Sequence, residues 1–267
     1  MKMSLVTSAY PDNKLEYIIE KATDLNYEGV ELRPTRRISV PTSLKSENLK
    51  SLSKLLADSN IEISCISPLV TFTDENASIR LKNIDILKSC IDIAHNMGCK
   101  RVRAFGGPIS GDRDAAMGHV LESLSMCADY AEKEEVNIDI ETHDDFNTGR
   151  IVLTVLERVA SPKVKALYDV AWPFCAGEPY ELTIQLLRDH LDFVHLKDII
   201  RNEDGIKYVL FGKGELKPQG IVEKLKEIGY EGYLAVEWEK DEDPNLEDSD
   251  IAAKHYAREV KKIIGSS

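Results

Sequence analysis

The segment Phe193-Val-His195-Leu-Lys197-Asp198 passes from a short apolar run into a dense group of polar side chains. Three other segments share this design: Ile138-Asp-Ile-Glu141-Thr-His143, Leu167-Tyr-Asp169 and Ala235-Val-Glu237-Trp238-Glu239. Each begins with residues that favour a β-strand and ends in a carboxylate or an imidazole. Repeated strands that each carry such a polar side chain at the carboxyl end are typical of a parallel sheet in which those ends together form one site.

β-Rich runs of this kind alternate with helical segments along the whole chain. Eight runs stand at Met3–Ser8, Gly29–Arg33, Glu62–Ser67, Arg101–Phe105, Asn137–Thr142, Ala166–Asp169, Phe193–Lys197 and Tyr233–Trp238. Between them apolar residues recur at a helical period, as they do from Ala116 to Ala131. This alternation predicts an α/β protein with a parallel sheet, and eight units favour one closed (β/α)₈ TIM barrel over an open sheet.

The length and composition are consistent with one barrel domain over residues 1–267. A net charge of -12 disfavours nucleic acid and anionic lipid as partners, although a pocket can still be locally basic. Five cysteines without a Cys-x-x-Cys pair fit a reducing cytoplasm. No apolar run approaches the ~20 residues that span a bilayer, and the amino terminus does not resemble a signal peptide. Arg201–Lys217 is expected to form a long βα loop at the barrel mouth.

Four of the strand-end side chains are candidate metal ligands: Glu141, Asp169, His195 and Glu237. They end the fifth to eighth runs, which are neighbours in a barrel, so their side chains are expected to converge. Three carboxylates and one imidazole form an oxygen–nitrogen site that suits Mn²⁺, Mg²⁺, Co²⁺ or Zn²⁺. Any one of them is equally well explained as a helix cap or a hydrogen-bonded core residue. Their coincidence at four adjacent strand ends favours the metal.

Side-chain alternation extends this site, because residues i and i+2 of a strand share a face. His143, Lys197 and Glu239 therefore accompany the candidate ligands that lie two positions before each of them. Arg103 shares a face with Phe105, and Glu31 with Arg33, on two other strands. Arg103, Lys197 and Arg33 would then place positive charge around an acidic site. Surface or barrel-floor ion pairs are the alternative explanation for these three.

Two aromatic residues, Trp172 and Phe174, follow Asp169 closely. Aromatic rings beside polar groups often stack on the apolar face of a sugar or exclude water. Trp172 is therefore a candidate substrate contact, whereas packing beneath a loop explains Phe174 at least as well.

Taken together, these segments resemble the xylose isomerase-like TIM barrels, the sugar phosphate isomerase/epimerase superfamily that also contains endonuclease IV. The resemblance covers essentially the whole chain. It is carried by the ordered set of candidate ligands, by His195-Leu-Lys-Asp, and by Gly212-Lys-Gly214 and Gly229-Tyr-Glu-Gly232 leading to Glu237. It implies one divalent metal held by Glu141, Asp169, His195 and Glu237. It also implies that Glu141 and Glu237 exchange protons beside a substrate carbonyl, and it leaves a homo-oligomer open.

The resemblance therefore implies a metal-dependent isomerase or epimerase of a sugar, ketose or keto-polyol. Departures from the family pattern keep a second activity open. Trp172 stands where many epimerases have a histidine after the sixth strand. Glu141-Thr-His143, Arg103-x-Phe105 and His195-x-Lys197 resemble the 3-dehydroshikimate dehydratases. That branch implies a lyase acting on a dehydroshikimate or inosose type of substrate, with His143 as base and with Arg103 and Lys197 binding an acidic substrate.

Two further hypotheses have less support. A sugar-binding barrel without activity is disfavoured because the four candidate ligands are intact. An endonuclease is disfavoured because Ser64-Cys-Ile-Ser67 and Arg103-Ala-Phe-Gly106 lack the extra histidines that its three-metal cluster needs, and because the net charge is -12.

Overall fold

Eight parallel strands close into a barrel in the computed structural model, which describes residues 1–36, 38, 46–203 and 205–265. The barrel strands are β1 (Lys2–Val6), β2 (Gly29–Leu32), β3 (Glu62–Ile66), β4 (Arg101–Ala104), β5 (Asn137–Glu141), β6 (Val164–Asp169), β7 (Leu191–Leu196) and β10 (Tyr233–Val236). Around the barrel they follow the order β1-β10-β7-β6-β5-β4-β3-β2. The predicted closed (β/α)₈ barrel is confirmed.

Helices cover the outside of the barrel and connect successive strands. They are α1 (Leu15–Asp24), α2 (Ser46–Ser59), α3 (Ala77–Met97), α4 (Arg113–Lys133), α5 (Gly149–Val159), α6 (Ala171–Cys175), α7 (Tyr180–Leu187), α8 (Pro218–Glu227) and α9 (Ser249–Gly265). Local sequence sets several ends: the Asp112 carboxylate accepts a hydrogen bond from the Ala115 amide at 2.7 Å, and α3 stops at Gly98 with a φ of 72°. Among the helices of the described residues, none is both long and apolar enough to cross a bilayer.

The barrel interior is layered along its axis. Arg101, Asp139 and Asp192 form ion pairs at the amino-terminal end, where the Arg101 Nε–Asp192 Oδ2 distance is 3.0 Å. Above them lies a separate apolar cluster of Val6, Cys65, Leu167, Phe193, Tyr233 and Ala235. Since every second residue of a strand points inward, the next inward positions on β5, β6 and β7 are Glu141, Asp169 and His195. Strand periodicity thus carries these three side chains to the top of the barrel, all fully buried.

The predicted loop Arg201–Lys217 is partly wrong, because a β-hairpin starts just before it. Strands β8 (Asp198–Asn202) and β9 (Gly205–Val209) pair antiparallel after β7. The alternation that identifies buried strands is weak here, because β9 is partly exposed along its length.

Asp198 ties this hairpin to the segment that follows it. Its buried carboxylate accepts hydrogen bonds from the amides of Ile199, Gly214 and Leu216 at 3.0, 2.8 and 3.2 Å. The Asp198 amide donates to the Tyr256 hydroxyl of α9 at 2.8 Å, and that hydroxyl donates to the Val209 carbonyl at 2.8 Å. The hairpin is therefore fixed by the chain on both sides of α8.

Gly214 offers a direct test of this anchor. A Cβ atom at Gly214 would lie 2.3 Å from Asp198 Oδ1 and 2.4 Å from the Ile199 carbonyl, whereas a Cβ at Gly118 within α4 meets nothing. We expect Gly214→Ala to lower the free energy of unfolding by about 1–3 kcal/mol through overpacking. The control Gly118→Ala is expected to raise it by about 0.5–1 kcal/mol, since alanine favours a helix. Denaturant unfolding checks both, and equal stabilities would contradict the anchor.

Candidate metal centre

Glu141, Asp169, His195 and Glu237 meet at the carboxyl end of the barrel. Ligand atoms of Glu141, Asp169 and His195 lie within 4.8 Å of one another. The Nδ1 atom of His195 lies 3.0 Å from Glu141 Oε1 and 3.5 Å from Glu237 Oε2. Lys197 Nζ contacts two of the carboxylates: it lies 2.6 Å from Asp169 Oδ2 and also forms an ion pair with Glu237. The structure thus brings the four predicted ligands together, with Glu237 at the edge of the group.

Strand register explains this convergence. Asp169 lies opposite His195 across β6 and β7, and Ala235 lies opposite His195 across β10 and β7. Glu237 is two residues beyond Ala235 and therefore points inward just past the end of β10.

Three cationic side chains surround the carboxylates, as alternation predicts: Lys197, described above, and Arg103 and Arg33. Arg103 Nη1 lies 3.1 Å from Glu141 Oε2, with both residues buried. Arg33 Nη1 lies 2.5 Å from Glu237 Oε1 and also contacts Glu239. These ion pairs reduce the repulsion between acidic side chains that the barrel forces together.

The surrounding charges decide which carboxylates stay ionised. Burial disfavours ionisation of Glu141, but the charges of His195 and Arg103 outweigh burial and hold its pKa below the usual range. Burial likewise opposes ionisation of Glu237, yet Lys197, His195 and Arg33 hold its pKa well below normal. Both glutamates are therefore anionic at neutral pH.

Asp169 and Glu239 show the opposite balance. Burial raises the pKa of Asp169 to about 6, and the charge of Lys197 limits the rise. Burial, together with the neighbouring Glu237, raises the pKa of Glu239 to about 8 against the opposing charge of Arg33. These two carboxyl groups are the less firmly ionised members of the cluster.

A divalent cation fits the donor set at this centre. Glu141 Oε2 and Glu237 Oε2 are buried and accept no hydrogen bond of good geometry, although the cations Arg103 and Lys197 lie against them. Coordination to a cation would use the lone pairs that remain free on these oxygens and would further offset the cost of burying the carboxylates. Oxygen donors with one imidazole nitrogen match Mn²⁺, Mg²⁺, Co²⁺ or Zn²⁺.

An aromatic wall stands beside the charged cluster. The His143 ring lies between Phe105 and Trp172, with both centroid distances at 4.5 Å. Arg103 stacks over Phe105 at 4.1 Å, and Arg201 stacks over Phe174 at 4.4 Å. His143 and Trp172 are only half-buried, so part of each ring is exposed.

The contact between Glu31 and His195 lies outside the sequence-based predictions. Glu31 is fully buried, and its Oε2 atom lies 2.9 Å from His195 Nε2. A signal is present in the sequence, because Glu31 occupies an inward position at the end of the second run, like the predicted ligands. Pattern alone could not show that its carboxylate reaches across the barrel.

A closed parallel barrel with buried carboxylates and an imidazole at its carboxyl end defines a class of barrels suited to a divalent metal. Within that class, the chain belongs to the xylose isomerase-like TIM barrel family, whose sequence profile matches residues 19–259. The chain is similar to fructoselysine 3-epimerase of Shigella flexneri, with 24% identity over 251 residues, covering 89% of this chain and 90% of that protein.

Two crystal structures share the fold at low sequence identity. A D-psicose 3-epimerase, solved in the presence of D-fructose, superposes with a TM-score of 0.84 at 16% identity and full coverage of both chains. A probable 3-DHS dehydratase from Bacillus anthracis superposes with a TM-score of 0.80 at 18% identity, also with full coverage of both chains.

Metal addition tests the centre without a substrate. We expect Mn²⁺ or Co²⁺ at 100 times its dissociation constant to stabilise the protein by about 2.7 kcal/mol, reversibly with chelator. Asp169→Asn should weaken this response because it removes one charged donor. Glu62→Gln is the matched control, since Glu62 pairs with Lys2 at the far end of the barrel. Thermal unfolding with and without metal measures the response, and an unchanged melting temperature for the unsubstituted protein would contradict the site.

Proposed function

We propose that this protein is a divalent-metal-dependent isomerase or epimerase of a sugar, ketose or keto-polyol. The observation that carries this proposal is the pair Glu141 and Glu237, two ionised carboxylates that flank His195 Nδ1 at 3.0 and 3.5 Å. Similarity to a fructoselysine 3-epimerase over 89% of the chain supports an enzyme of this type.

In the proposed mechanism Glu141 and Glu237 serve as ligands and as proton carriers, while Asp169 and His195 serve as anchors. A divalent ion bound by these four would polarise a substrate carbonyl, so that the proton on the adjacent carbon becomes removable by a weakly basic carboxylate. One of the two glutamates then takes that proton. Either the same or the other glutamate returns a proton to the substrate, at that carbon or at its neighbour. The lowered pKa values of both glutamates keep them ionised, which is the form that can accept a proton.

The neighbouring side chains would orient the sugar. Trp172 and His143 present half-buried rings on one side of the mouth, where the C–H face of a sugar can stack. Arg103 is fixed by Glu141 and by the Phe105 ring, which itself contacts His143, so its buried positive charge lies close to these rings. We propose that these residues bind substrate within one domain spanning residues 1–267. A cytoplasmic location remains a prediction.

A dehydratase is the second candidate, and the buried cations favour it. Arg103 and Lys197 are each only 1% exposed and lie beside the proposed ligands. A cation at the centre would compete with Lys197 for Asp169 and Glu237, which would make the ammonium group available to a substrate carboxylate. His143 would then act as the base, and hydroxide would leave from the carbon next to the one that loses its proton, as for a 3-dehydroshikimate or inosose type of substrate.

Hydrogen exchange into a substrate tests the first proposal. In heavy water with Mn²⁺ or Co²⁺, the protein should place deuterium at one carbon of a reactive ketose. We expect Glu141→Gln and Glu237→Gln each to slow this incorporation at least about 100-fold, since an amide cannot accept the proton. Mass spectrometry and proton NMR follow the label.

Glu62→Gln is the control for folding and should keep the full exchange rate, because Glu62 lies at the opposite end of the barrel. Exchange at the unsubstituted rate in both active-site variants would contradict their roles as proton carriers.

Lys197 and His143 separate the two candidate reactions. If a dehydroshikimate-like acid is the substrate, Lys197→Met should raise its KM at least about tenfold, because a buried ion pair with the carboxylate is lost. His143→Ala should then lower kcat by about 100-fold or more. If a neutral ketose is the substrate, its KM should depend little on the charge of Lys197. Steady-state kinetics on ketoses, inososes and dehydroshikimate decide between these outcomes.

A further inference from the structure

We infer that Glu31 is a positioning residue that holds His195 in the tautomer with its proton on Nε2, so that Nδ1 faces the metal centre. This inference rests on the metal site of the proposed function. Glu31 itself is not a ligand in this assignment. It acts through His195.

The contacts of the imidazole ring support this role. Nε2 of His195 lies 2.9 and 3.1 Å from the two carboxylate oxygens of Glu31. The other nitrogen, Nδ1, lies 3.0 Å from Glu141 on the side of the predicted ligands. Because the two nitrogens of an imidazole point in divergent directions, Glu31 binds the edge of the ring that faces away from Glu141.

The barrel holds Glu31 rigidly in this position. Both residues are fully buried, and the Ser67 hydroxyl donates a hydrogen bond of 2.5 Å to Glu31 Oε1. In the barrel order, β2 with Glu31 is separated from β7 with His195 by β1 and β10, so the contact crosses the interior. A side chain that spans a closed barrel and is buried along its length has little freedom to choose another partner.

The hydrogen bond between Glu31 and His195 has a consequence for metal binding. An imidazole that binds a metal through one nitrogen almost always donates its other N–H group, usually to a carboxylate, a carbonyl or water. That donation fixes the tautomer and ring orientation and raises the basicity of the ligating nitrogen. Loss of such a partner typically weakens metal binding about 10–100-fold.

Metal affinity and the tautomer of His195 provide the test. Three substitutions are compared in the full-length protein: Glu31→Ala, Glu31→Gln and the control Glu62→Gln. Zn²⁺ and Co²⁺ affinities are measured by competition with a chelating dye. Long-range proton–nitrogen NMR of the Zn²⁺-loaded protein then identifies which His195 nitrogen carries the proton. Neither measurement depends on turnover or on the identity of the substrate.

We expect Glu31→Ala to weaken metal binding about 10–100-fold. Glu31→Gln should fall between Ala and the unsubstituted protein, because its amide oxygen can still accept a hydrogen bond from the Nε2–H group. Glu62→Gln should bind metal normally. In the unsubstituted loaded protein, the His195 proton should reside on Nε2. A purely structural role for Glu31 would lower the melting temperature without changing the affinity of the folded protein.

Unchanged affinity in Glu31→Ala, or a His195 proton on Nδ1, would overturn the positioning role while leaving the proposed function intact. An unsubstituted protein that binds neither Zn²⁺ nor Co²⁺ would overturn the metal chemistry and this assignment together. Normal metal binding without turnover of any sugar, inosose or acid would count against the proposed function alone.

Discussion

Electrostatic repulsion among converging carboxylates is the constraint on which the rest of this structure depends. A closed parallel barrel delivers the ends of its strands to one small space, and this sequence places Glu31, Glu141, Asp169 and Glu237 there. Such groups cannot all remain ionised without compensation. Arg33, Arg103 and Lys197 supply part of it from the same layer. The compensation is unevenly distributed, because the pKa of Glu141 is lowered whereas that of Asp169 is raised.

Much of the architecture was predictable because its signals are local. Strand and helix periods alone indicate eight β/α units, and inward alternation alone groups His195 with Lys197 and Arg103 with Phe105. The predicted runs mostly extend one or two residues past the carboxyl ends of the observed strands: Lys197 is the single residue between β7 and β8, and Glu237 is the first residue after β10. They still point inward, because the first residues beyond a strand keep its alternation.

Other features depend on contacts between distant parts of the chain. Glu31 reaches His195 across the interior, over a sequence separation of 164 residues, and no local pattern encodes such a contact. The hairpin β8–β9 was not predicted from the sequence for a related reason. It is held by contacts among Asp198, Gly214 and Tyr256 rather than by an alternating apolar face. Roles at the mouth are harder still to predict, because the position of a ring such as Trp172 depends on the packing of His143 and Phe105.

The Tyr256 hydroxyl has a consequence for the order in which the molecule can be completed. It joins the start of β8 to the end of β9, yet it enters the chain 58 residues after Asp198. During synthesis, strands β1 to β7 and the hairpin leave the ribosome before this hydroxyl exists. The two hydrogen bonds that hold the hairpin to α9 can therefore form only after Tyr256 has been added. A nascent chain that stops before Tyr256 would lack both hydrogen bonds, and the hairpin next to the buried carboxylates would not yet be tied to α9.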